Sequence, residues 1–321
     1  MPALRFRNAA LIYNPLAGRK RGKRERDLDR AVYLLDAYRI SVTRFPTTGP
    51  GQATELARRE VAAGRDLIIA CGGDGTVNEV VNGMAGSRVP LALLPAGTGN
   101  ALAKELGLDG KSIWRAAEYI PRAVVRRIAL GIVHQARPEG RAAGRYYLSV
   151  AGAGADGHLL YRMKTPAKLR LGMLYFWLEG LRQLFLYDFP EFDVEADGQR
   201  FPTCTVVVSR SKNYGGPGQL TPRADLGRDD FEVCLFPRCS PWGYLLYLLA
   251  LVFNVSLEAF PEFRCLRARR VRAEPRQQRI HLQADGELLG ELPAEFTVVP
   301  DALSLLVPAT IAERWTPSPT P

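Results

Sequence analysis

Cysteine and histidine are scarce in this chain of 321 residues, which contains five cysteines and three histidines. The number of cysteines is odd, and no two of them form a Cys-x-x-Cys pair. This pattern argues against a disulfide framework and against a zinc site, so we expect a protein of the reducing cytoplasm. The three histidines, His134, His158 and His281, are scattered and are more typical of surface or strand positions than of ligands.

The chain also lacks a long uninterrupted hydrophobic run. The apolar segment Trp242–Phe253 is shorter than the roughly 20 residues that a membrane-spanning helix needs. The aromatic-rich stretch Leu171–Phe189 is interrupted by Glu179 and Arg182. The apolar residues after Arg7 are too few for a signal peptide. We therefore expect a soluble or peripheral protein, in which both segments form either buried core helices or an acyl-chain groove or membrane-docking face.

Positive charge is in excess, and the net charge is +10. Such a charge attracts nucleic acid, an anionic membrane or a phosphorylated substrate. One basic cluster spans Arg19–Arg26 and a second is formed by the arginines from Arg264 to Arg279, although either could be an ordinary solvated surface. The sequence has no zinc finger, recognition helix or aromatic-basic interleaving, so nucleic acid is not expected as a partner.

Three glycine turns carry the clearest chemical signal. The turn Gly72-Gly73-Asp74-Gly75-Thr76 follows the apolar segment Leu67–Ile69, as expected for a buried strand that turns into a helix. Its glycines let backbone N–H groups approach a phosphate, while the Asp74 carboxylate is free to hold a metal or accept a proton. Similar turns follow apolar runs at Pro95–Asn100 and at Asn14–Gly18. Three such turns predict one ligand crevice at the carboxyl edge of a parallel sheet.

The two parts of the chain have different patterns. Up to about residue 128, apolar strands alternate with helical spacing, which predicts a doubly wound α/β nucleotide-binding domain over residues 1–128. Beyond it, short strands separated by turns, such as the Asp197-Gly198 hairpin turn, predict an antiparallel β-sandwich with inserted helices over residues 129–310. The proline-rich end, residues 311–321, is expected to be a flexible tail.

Six ordered blocks together resemble the diacylglycerol kinase catalytic family, which includes bacterial lipid kinases and the sphingosine kinases. The similarity covers nearly the whole chain, and the family's layout agrees with the two predicted domains. The blocks are Asn14-Pro15-x-x-Gly18, Thr47-Thr48, Gly72-Gly73-Asp74-Gly75-Thr76-x-Asn78-Glu79, Pro95-x-Gly97-Thr98-Gly99-Asn100, Gly152-x-Gly154-x-Asp156 and Asp285-Gly286-Glu287.

The resemblance implies ATP and Mg²⁺ as cofactors, with Asp74 at the phosphates and metal. It also implies that Glu287 and Asp285 come from the second domain, with Asp74 and Glu287 as the catalytic carboxylates. Asp225 and Asp229 are candidate metal ligands, although a plain turn is as good an explanation of that loop. The residues implied to bind the nucleotide are Asn14, Pro15, Gly18, Thr47, Gly72, Gly73, Gly75, Thr76, Asn78, Glu79, Gly97, Thr98, Asn100, Asp285 and Gly286.

Two positions depart from the family pattern. Ala101 follows Asn100 where many members have an aspartate, a variant that looks more like the sphingosine and ceramide kinase branch. Ala129 precedes Leu130-Gly131 where much of the family has another aspartate. The sequence therefore supports the part of a kinase site that binds ATP better than the part that binds the phosphate acceptor.

The leading hypothesis is an ATP-dependent lipid kinase that phosphorylates a hydroxyl of a membrane lipid, either diacylglycerol or a sphingoid long-chain base. Its partners would be ATP, an amphipathic lipid and an anionic membrane surface to which a cytoplasmic protein binds peripherally, and a homodimer is possible. An NAD kinase is the first alternative, because NAD kinases also carry Gly-Gly-Asp-Gly. A non-catalytic nucleotide or lipid sensor is the second.

Overall fold

The computed structural model describes residues 6–18, 21–97, 99–137, 140–141, 144–162, 180–213, 220–253 and 255–315. These residues form two compact units. The first contains residues up to Leu130, together with Asp225–Asp229 and the end of the chain from Val299, and the second contains Gly131–Ala224 and Asp230–Val298. The predicted domain bounds at residues 128 and 310 divide the chain differently, because 225–229 and 299–310 cluster with the first unit.

The first unit alternates strands and helices, as the sequence predicts. Its strands are β1 (Asn8–Tyr13), β2 (Ser41–Pro46), β3 (Leu67–Gly72), β4 (Leu91–Pro95) and the first part of β5 (Val124–Arg137). Its helices are α1 (Arg21–Ala37), α2 (Gln52–Ala62), α3 (Asp74–Met84), α4 (Ala101–Glu105) and α5 (Ile113–Ala117), followed by the 3₁₀ turn Ile120–Arg122.

The strands of this unit form a parallel sheet in which β4, β3, β1 and β2 are successive neighbours. The register places Ile12 beside Ala70 and Ala70 beside Leu93. All residues of β3 and β4 are buried, as expected for strands that helices cover on both faces. Helices α1 and α5 pack on one face over a core that includes Leu11 and Leu94, and α2 and α3 pack against β1 and β3. The predicted doubly wound α/β unit is confirmed.

The second unit is mostly antiparallel β-structure. It contains β6 (Gly140–Arg141), β7 (Arg145–Tyr147), β8 (Val150–Gly154), β9 (Phe192–Ala196), β10 (Gln199–Thr203), β11 (Thr205–Ser209), β12 (Phe231–Phe236), β13 (Arg264–Ala268), β14 (Arg270–Pro275), β15 (His281–Ala284), β16 (Glu287–Glu291) and the start of β17 (Ala294–Val307). Its helices are α6 (Ala155–Arg162) and α7 (Pro241–Val252), with a 3₁₀ turn at Leu257–Ala259 and helical residues 180–186.

One antiparallel sheet of this unit has the strand order β13, β12, β11, β8, β15, β16. A second antiparallel set runs β10, β9, β14 and the start of β17. Asp197 and Gly198 both have positive φ, 44° and 87°, in the turn between β9 and β10, so the predicted hairpin is confirmed. The predicted β-sandwich with inserted helices is confirmed as well.

Strand β17 is 14 residues long and runs beyond the second unit, which ends at Val298. It continues to Val307, and in the first unit it lies parallel to β4, with Leu305 beside Leu91. Helix α8 (Ala309–Ala312) follows it. The tail predicted from residue 311 therefore begins inside a helix, and residues 316–321 lie outside the described part of the chain.

The argument from cysteine number against disulfides is wrong. The structure contains two disulfides, Cys204–Cys239 and Cys234–Cys265, and the fifth cysteine, Cys71, is free and buried. The odd number of cysteines could not reveal the disulfides, because one cysteine is a core residue of β3 while the other four pair in the second unit. The expectation of a reducing compartment loses the support that it drew from the cysteine pattern.

Alkylation tests this assignment. Burial raises the pKa of the Cys71 thiol to about 12, so iodoacetamide is expected to leave the native protein unlabelled at neutral pH. Unfolding without reductant should expose one reactive thiol per chain, at Cys71. Unfolding after reduction should expose all five cysteines of the sequence, which peptide mass spectrometry would locate. Labelling of Cys204 or Cys265 in protein that was unfolded without reduction would contradict the disulfides.

Candidate active site

Three turns of the first unit meet at the carboxyl edge of its parallel sheet. The Asn14 N–H donates to the Cys71 carbonyl (3.1 Å), and the Ala96 N–H donates to the Gly72 carbonyl (2.9 Å). On the far side of β1, the N–H of the buried Thr47 donates to the Tyr13 carbonyl (2.9 Å). The strand pairing therefore extends one residue into each turn, which fixes the turns relative to one another.

Glycine is required where these turns touch. A Cβ added to Gly97 would lie 2.5 Å from the Cα of Gly73, and a Cβ added to Gly18 would lie 2.8 Å from the Ala96 carbonyl oxygen. Gly18 also has a φ of 78°, which side-chain-bearing residues rarely adopt. The first N–H groups of α3 have no partner within the helix, as at any helix start, and such groups can bind an anion. This is a cradle that fits a phosphate group.

Asp74 is the first residue of α3, with Gly73 as its N-cap. Its Oδ1 accepts a hydrogen bond from the N–H of Ala101, the first residue of α4 (2.7 Å). A Cβ on Gly99 would lie 2.7 Å from its Oδ2, so any larger residue at position 99 would displace the carboxylate. The carboxylate is half-buried and is held by the starts of two helices, where their dipoles favour negative charge. Gly75 and Thr76 follow it in the first turn of α3.

The turn after β4 is closed by Asn100. Its Oδ1 accepts from the Gly97 N–H (3.1 Å) and its Nδ2 donates to the Gly97 carbonyl (2.7 Å). Asn100 has a φ of 51°, a left-handed conformation that asparagine tolerates well. The amide thus sets the shape of this turn. Thr98, which the sequence also implicates, lies outside the described residues.

The side chain of Glu79 has a structural role at the start of α2. Its two carboxylate oxygens accept from the N–H groups of Gly51 (2.8 Å) and Ala53 (3.0 Å), so it caps the start of α2. The neighbouring Asn78 is buried, and Asn82 donates to its side-chain oxygen (3.0 Å). Glu79 therefore ties α3 to the start of α2, whereas the hydrogen bond between Asn78 and Asn82 lies within α3 itself.

Asn14 and Pro15 shape the first turn. The Asn14 Oδ1 accepts from the Leu16 N–H (2.8 Å), and the Pro15 carbonyl accepts from the guanidinium of Arg24. Arg24 is 6% exposed, and it is anchored by this bond although it belongs to the basic run near the chain start.

A cleft of about 780 Å³ extends from these turns along α1 and α5. It includes Gly18, Gly97 and Asn100, and its volume is within the range of small-molecule sites. Cationic side chains dominate its charge. The charged and aromatic lining side chains that the motif analysis missed are Asp27, Arg30, Lys111, Trp114 and Arg115, whereas Lys23 and Arg24 belong to the basic cluster Arg19–Arg26. No motif marks the missed residues, since the fold alone brings α5 beside α1.

The acidic loop Asp225–Asp229 belongs to the first unit, which also contains Asp74. Asp225 accepts from the Gly227 N–H (2.8 Å) through Oδ1, as in an ordinary turn. Within the described part of the chain, the one cluster with the spacing of a metal site is Glu232, Cys234 and Cys265, and its two cysteines are joined in a disulfide. The carboxylates at 74, 225 and 229 are oxygen donors of the kind that Mg²⁺ prefers, and their metal role remains a prediction.

In the second unit, Asp285 and Gly286 form the turn between β15 and β16, and Glu287 is the first residue of β16. Three successive backbone N–H groups donate to the Asp285 carboxylate, those of Leu148 (2.7 Å), Ser149 (2.9 Å) and Val150 (3.0 Å). Asp285 and Gly286 both have positive φ, 46° and 79°. Asp285 is therefore the anchor of this turn.

Glu287 is differently placed. It is partly exposed, and its Oε2 accepts from the Arg145 guanidinium (2.7 Å). An ion pair of this exposure contributes little to stability, about 0.2–1 kcal/mol. Of these three residues, Glu287 is the one whose geometry suits contact with a ligand.

The comparisons with known proteins follow this division into two parts. Residues 8–133 match the diacylglycerol kinase catalytic domain, and residues 149–307 match the YegS C-terminal NAD kinase beta sandwich-like domain. The chain belongs to the diacylglycerol kinase family. The predicted family and the predicted enzyme class, that of the lipid kinases, are both confirmed at this level. The first matched domain contains the three glycine turns, and the second contains the Asp285–Glu287 turn.

Relatives match over nearly their whole length. The chain is 29% identical over 313 residues to a diacylglycerol kinase of Bacillus subtilis strain 168, covering 96% of this chain and 99% of the relative. It is 26% identical to a diacylglycerol kinase of Staphylococcus aureus strain MRSA252, covering 96% and 95%. A solved structure of a Bacillus anthracis diacylglycerol kinase matches with a TM-score of 0.71 at 22% identity, covering 95% of this chain and 98% of that one. The last likeness shows a shared fold.

Proposed function

We propose that the protein transfers the γ-phosphate of ATP to a hydroxyl of a membrane lipid, with diacylglycerol or a sphingoid long-chain base as the acceptor. The observation that carries the proposal is the cradle at the start of α3, where Gly18, Gly73 and Gly97 pack backbone against backbone beside the Asp74 carboxylate. Phosphoryl transfer needs mainly positioning and charge neutralisation, which such a cradle supplies. The curated relatives are named diacylglycerol kinases.

In this proposal the glycine turns bind the phosphates of ATP through backbone N–H groups. Mg²⁺ would be held by Asp74, with Asp225 or Asp229 as further oxygen ligands, and it would neutralise charge on the phosphates. The cationic side chains Lys23 and Lys111 in the adjoining cleft add to the attraction for a polyanion. Asn100 and Glu79 act indirectly, because they keep the second glycine turn and α3 in place.

The acceptor hydroxyl must lose a proton, and a carboxylate is the natural base. Asp74 and Glu287 are the two candidates, and the division of metal binding and proton transfer between them belongs to the proposal. Asp285 holds the turn that carries Glu287, so it acts as a positioning residue.

The acceptor is a lipid, and the protein would reach it as a peripheral protein on an anionic membrane. The net charge of +10 favours such a surface. No helix among the described residues has the length and apolar character to cross a membrane. Ala101 offers a backbone N–H to Asp74 but no carboxylate, so in this proposal the lipid is not held by an acidic side chain at position 101.

The test is incubation of the purified protein with labelled ATP, Mg²⁺ and either diacylglycerol, a long-chain base or NAD in detergent micelles, with products identified by mass spectrometry. We expect label in a lipid phosphate and none in the NAD reaction. Asp74→Asn protein purified in parallel reports any contaminating kinase. Label in NADP would support the NAD kinase alternative, and no transfer with any acceptor or metal would support a sensor.

A further inference from the structure

Two helical segments of the second unit expose large apolar side chains that the proposed reaction does not use. We call their combined surface the α7 face. Its residues are Leu181, Phe185 and Leu186 from the segment 180–186, Trp242, Leu246, Leu249 and Val252 from α7, and Phe253 and Val255 directly after α7. Monomeric proteins rarely leave an apolar patch of this kind uncovered.

The exposed residues of α7 lie on one stripe. Trp242, Leu246, Leu249 and Phe253 are spaced four, three and four residues apart, which places them on one side of a helix. Trp242 is 68% exposed and Phe253 is 73% exposed. The sequence from Cys239 to Leu257 contains no charged residue. The stripe is therefore long, continuous and uncharged.

The opposite side of α7 is fixed to the core, so the orientation of the stripe is set by the fold. Tyr247 and Ala250 are buried against Phe236 and Phe263. At the start of the helix, the Ser240 hydroxyl accepts from the Gly243 N–H (3.1 Å), which caps the helix. The preceding Cys239 is tied to Cys204 by a disulfide.

The segment 180–186 continues the same surface. The Phe185 ring meets the Trp242 ring edge to face, with centroids 5.3 Å apart. Leu184, on the inner side of the segment, belongs to a small core with Leu245 and Leu248 of α7. The outer side chains of both segments thus form one apolar face, and the exposed Arg182 lies among them.

From this geometry we propose that the α7 face inserts into the boundary between headgroups and acyl chains of an anionic phospholipid bilayer. The inference rests on the proposed function, because a diacylglycerol or long-chain base lies in a bilayer and some surface of the protein must reach it. A short helix with one apolar stripe is suited to lie in the plane of the membrane. The positive net charge of the chain complements an anionic surface.

The experiment is vesicle flotation of the full-length protein with vesicles of equimolar phosphatidylcholine and phosphatidylglycerol. We expect Leu246→Ser/Leu249→Ser to reduce the bound fraction at least about tenfold, because its two side chains lie mid-stripe. The matched control is Tyr33→Ser/Tyr38→Ser, which removes two exposed aromatic side chains in the first unit and should leave binding unchanged. Far-ultraviolet circular dichroism of each variant establishes that it is folded.

Tryptophan fluorescence gives a second readout. Brominated phospholipids are expected to quench the wild-type emission, and Trp242→Phe should lose most of that quenching while it still floats with the vesicles. Insertion of the α7 face would place the Trp242 ring among the acyl chains, whereas attraction by surface charge alone would not.

The outcomes separate this inference from the proposed function. Phosphorylation of a short-chain diacylglycerol in detergent should be the same for wild type and Leu246→Ser/Leu249→Ser, since no vesicle is present. If that variant bound vesicles as well as wild type does, the proposal that the α7 face docks on the membrane would be wrong, even if the kinase is active. A wild-type dimer in solution that the same substitutions dissociate would overturn it in favour of a second copy of the chain. A protein that floats but phosphorylates nothing would overturn the function instead.

Discussion

Asp74→Asn is expected to lower kcat by about a thousandfold or more while the fold stays intact, since the change removes charge from the centre of the phosphate cradle. Asparagine keeps an oxygen at Oδ1, so it can still accept from the Ala101 N–H, which Asp74 does at 2.7 Å. The geometry at the start of α4 is therefore preserved. The lost charge would weaken metal binding or proton transfer, and both are required in the proposed reaction.

The measurement is steady-state phosphorylation of a short-chain diacylglycerol in detergent, together with thermal unfolding. Asp74→Ala is the companion variant. It removes the charge and also the acceptor for the Ala101 N–H, so it should lose activity to a similar extent and be less stable by about 1 kcal/mol. Turnover of Asp74→Asn near that of wild type would disprove the proposed site. A large fall in its melting temperature would mean that Asp74 is mainly structural.

Asp285→Ala is expected to destabilise the second unit by about 3 kcal/mol or more, because three backbone N–H groups lose one charged acceptor. Those groups belong to Leu148, Ser149 and Val150. Alanine is also less suited than aspartate to the φ of 46° at this position. The turn that carries Glu287 would lose its anchor, so activity should fall along with stability.

Urea unfolding gives the free-energy change, and Asp197→Ala is the matched control. Asp197 has a similar φ of 44°, and its carboxylate also accepts from two backbone N–H groups, those of Arg269 and Arg270. Its hairpin turn is exposed, so water can replace the lost bonds and a smaller loss of about 1 kcal/mol is expected. Equal stabilities for Asp285→Ala and wild type would show that the three hydrogen bonds do not anchor the turn.

The turns were the most predictable parts of the molecule. The sequence around Asp74 and the Asp197-Gly198 hairpin depend on local backbone preferences, because glycine, asparagine and aspartate adopt conformations that other residues avoid. The alternation of apolar segments before residue 128 likewise identified the parallel sheet. Features of this kind are contained in a few neighbouring residues.

What the sequence could not predict depends on partners far along the chain. The carboxylate of Glu79 binds an N–H 28 residues away, and that of Asp285 binds N–H groups 135 to 137 residues away. In a list of motif residues they are indistinguishable from groups that contact a ligand. The pairing of Cys204 with Cys239 and the grouping of Lys111 with α1 have the same cause, since both follow from the way the chain folds back on itself.

The return of the chain end to the first unit has a consequence for biosynthesis. The part of β17 that pairs with β4 is translated long after β4 and after most of the second unit, and Leu306 belongs to the core beneath α1. Within the same unit, the Arg127 guanidinium binds Asp301 (2.6 Å), and the Gly86 N–H donates to the Ala302 carbonyl (2.7 Å). A nascent chain that ends near residue 130 leaves β4 without this neighbour and the core without its last leucine. Of the two units, the one that begins earlier in the chain is thus completed only after the other has been translated.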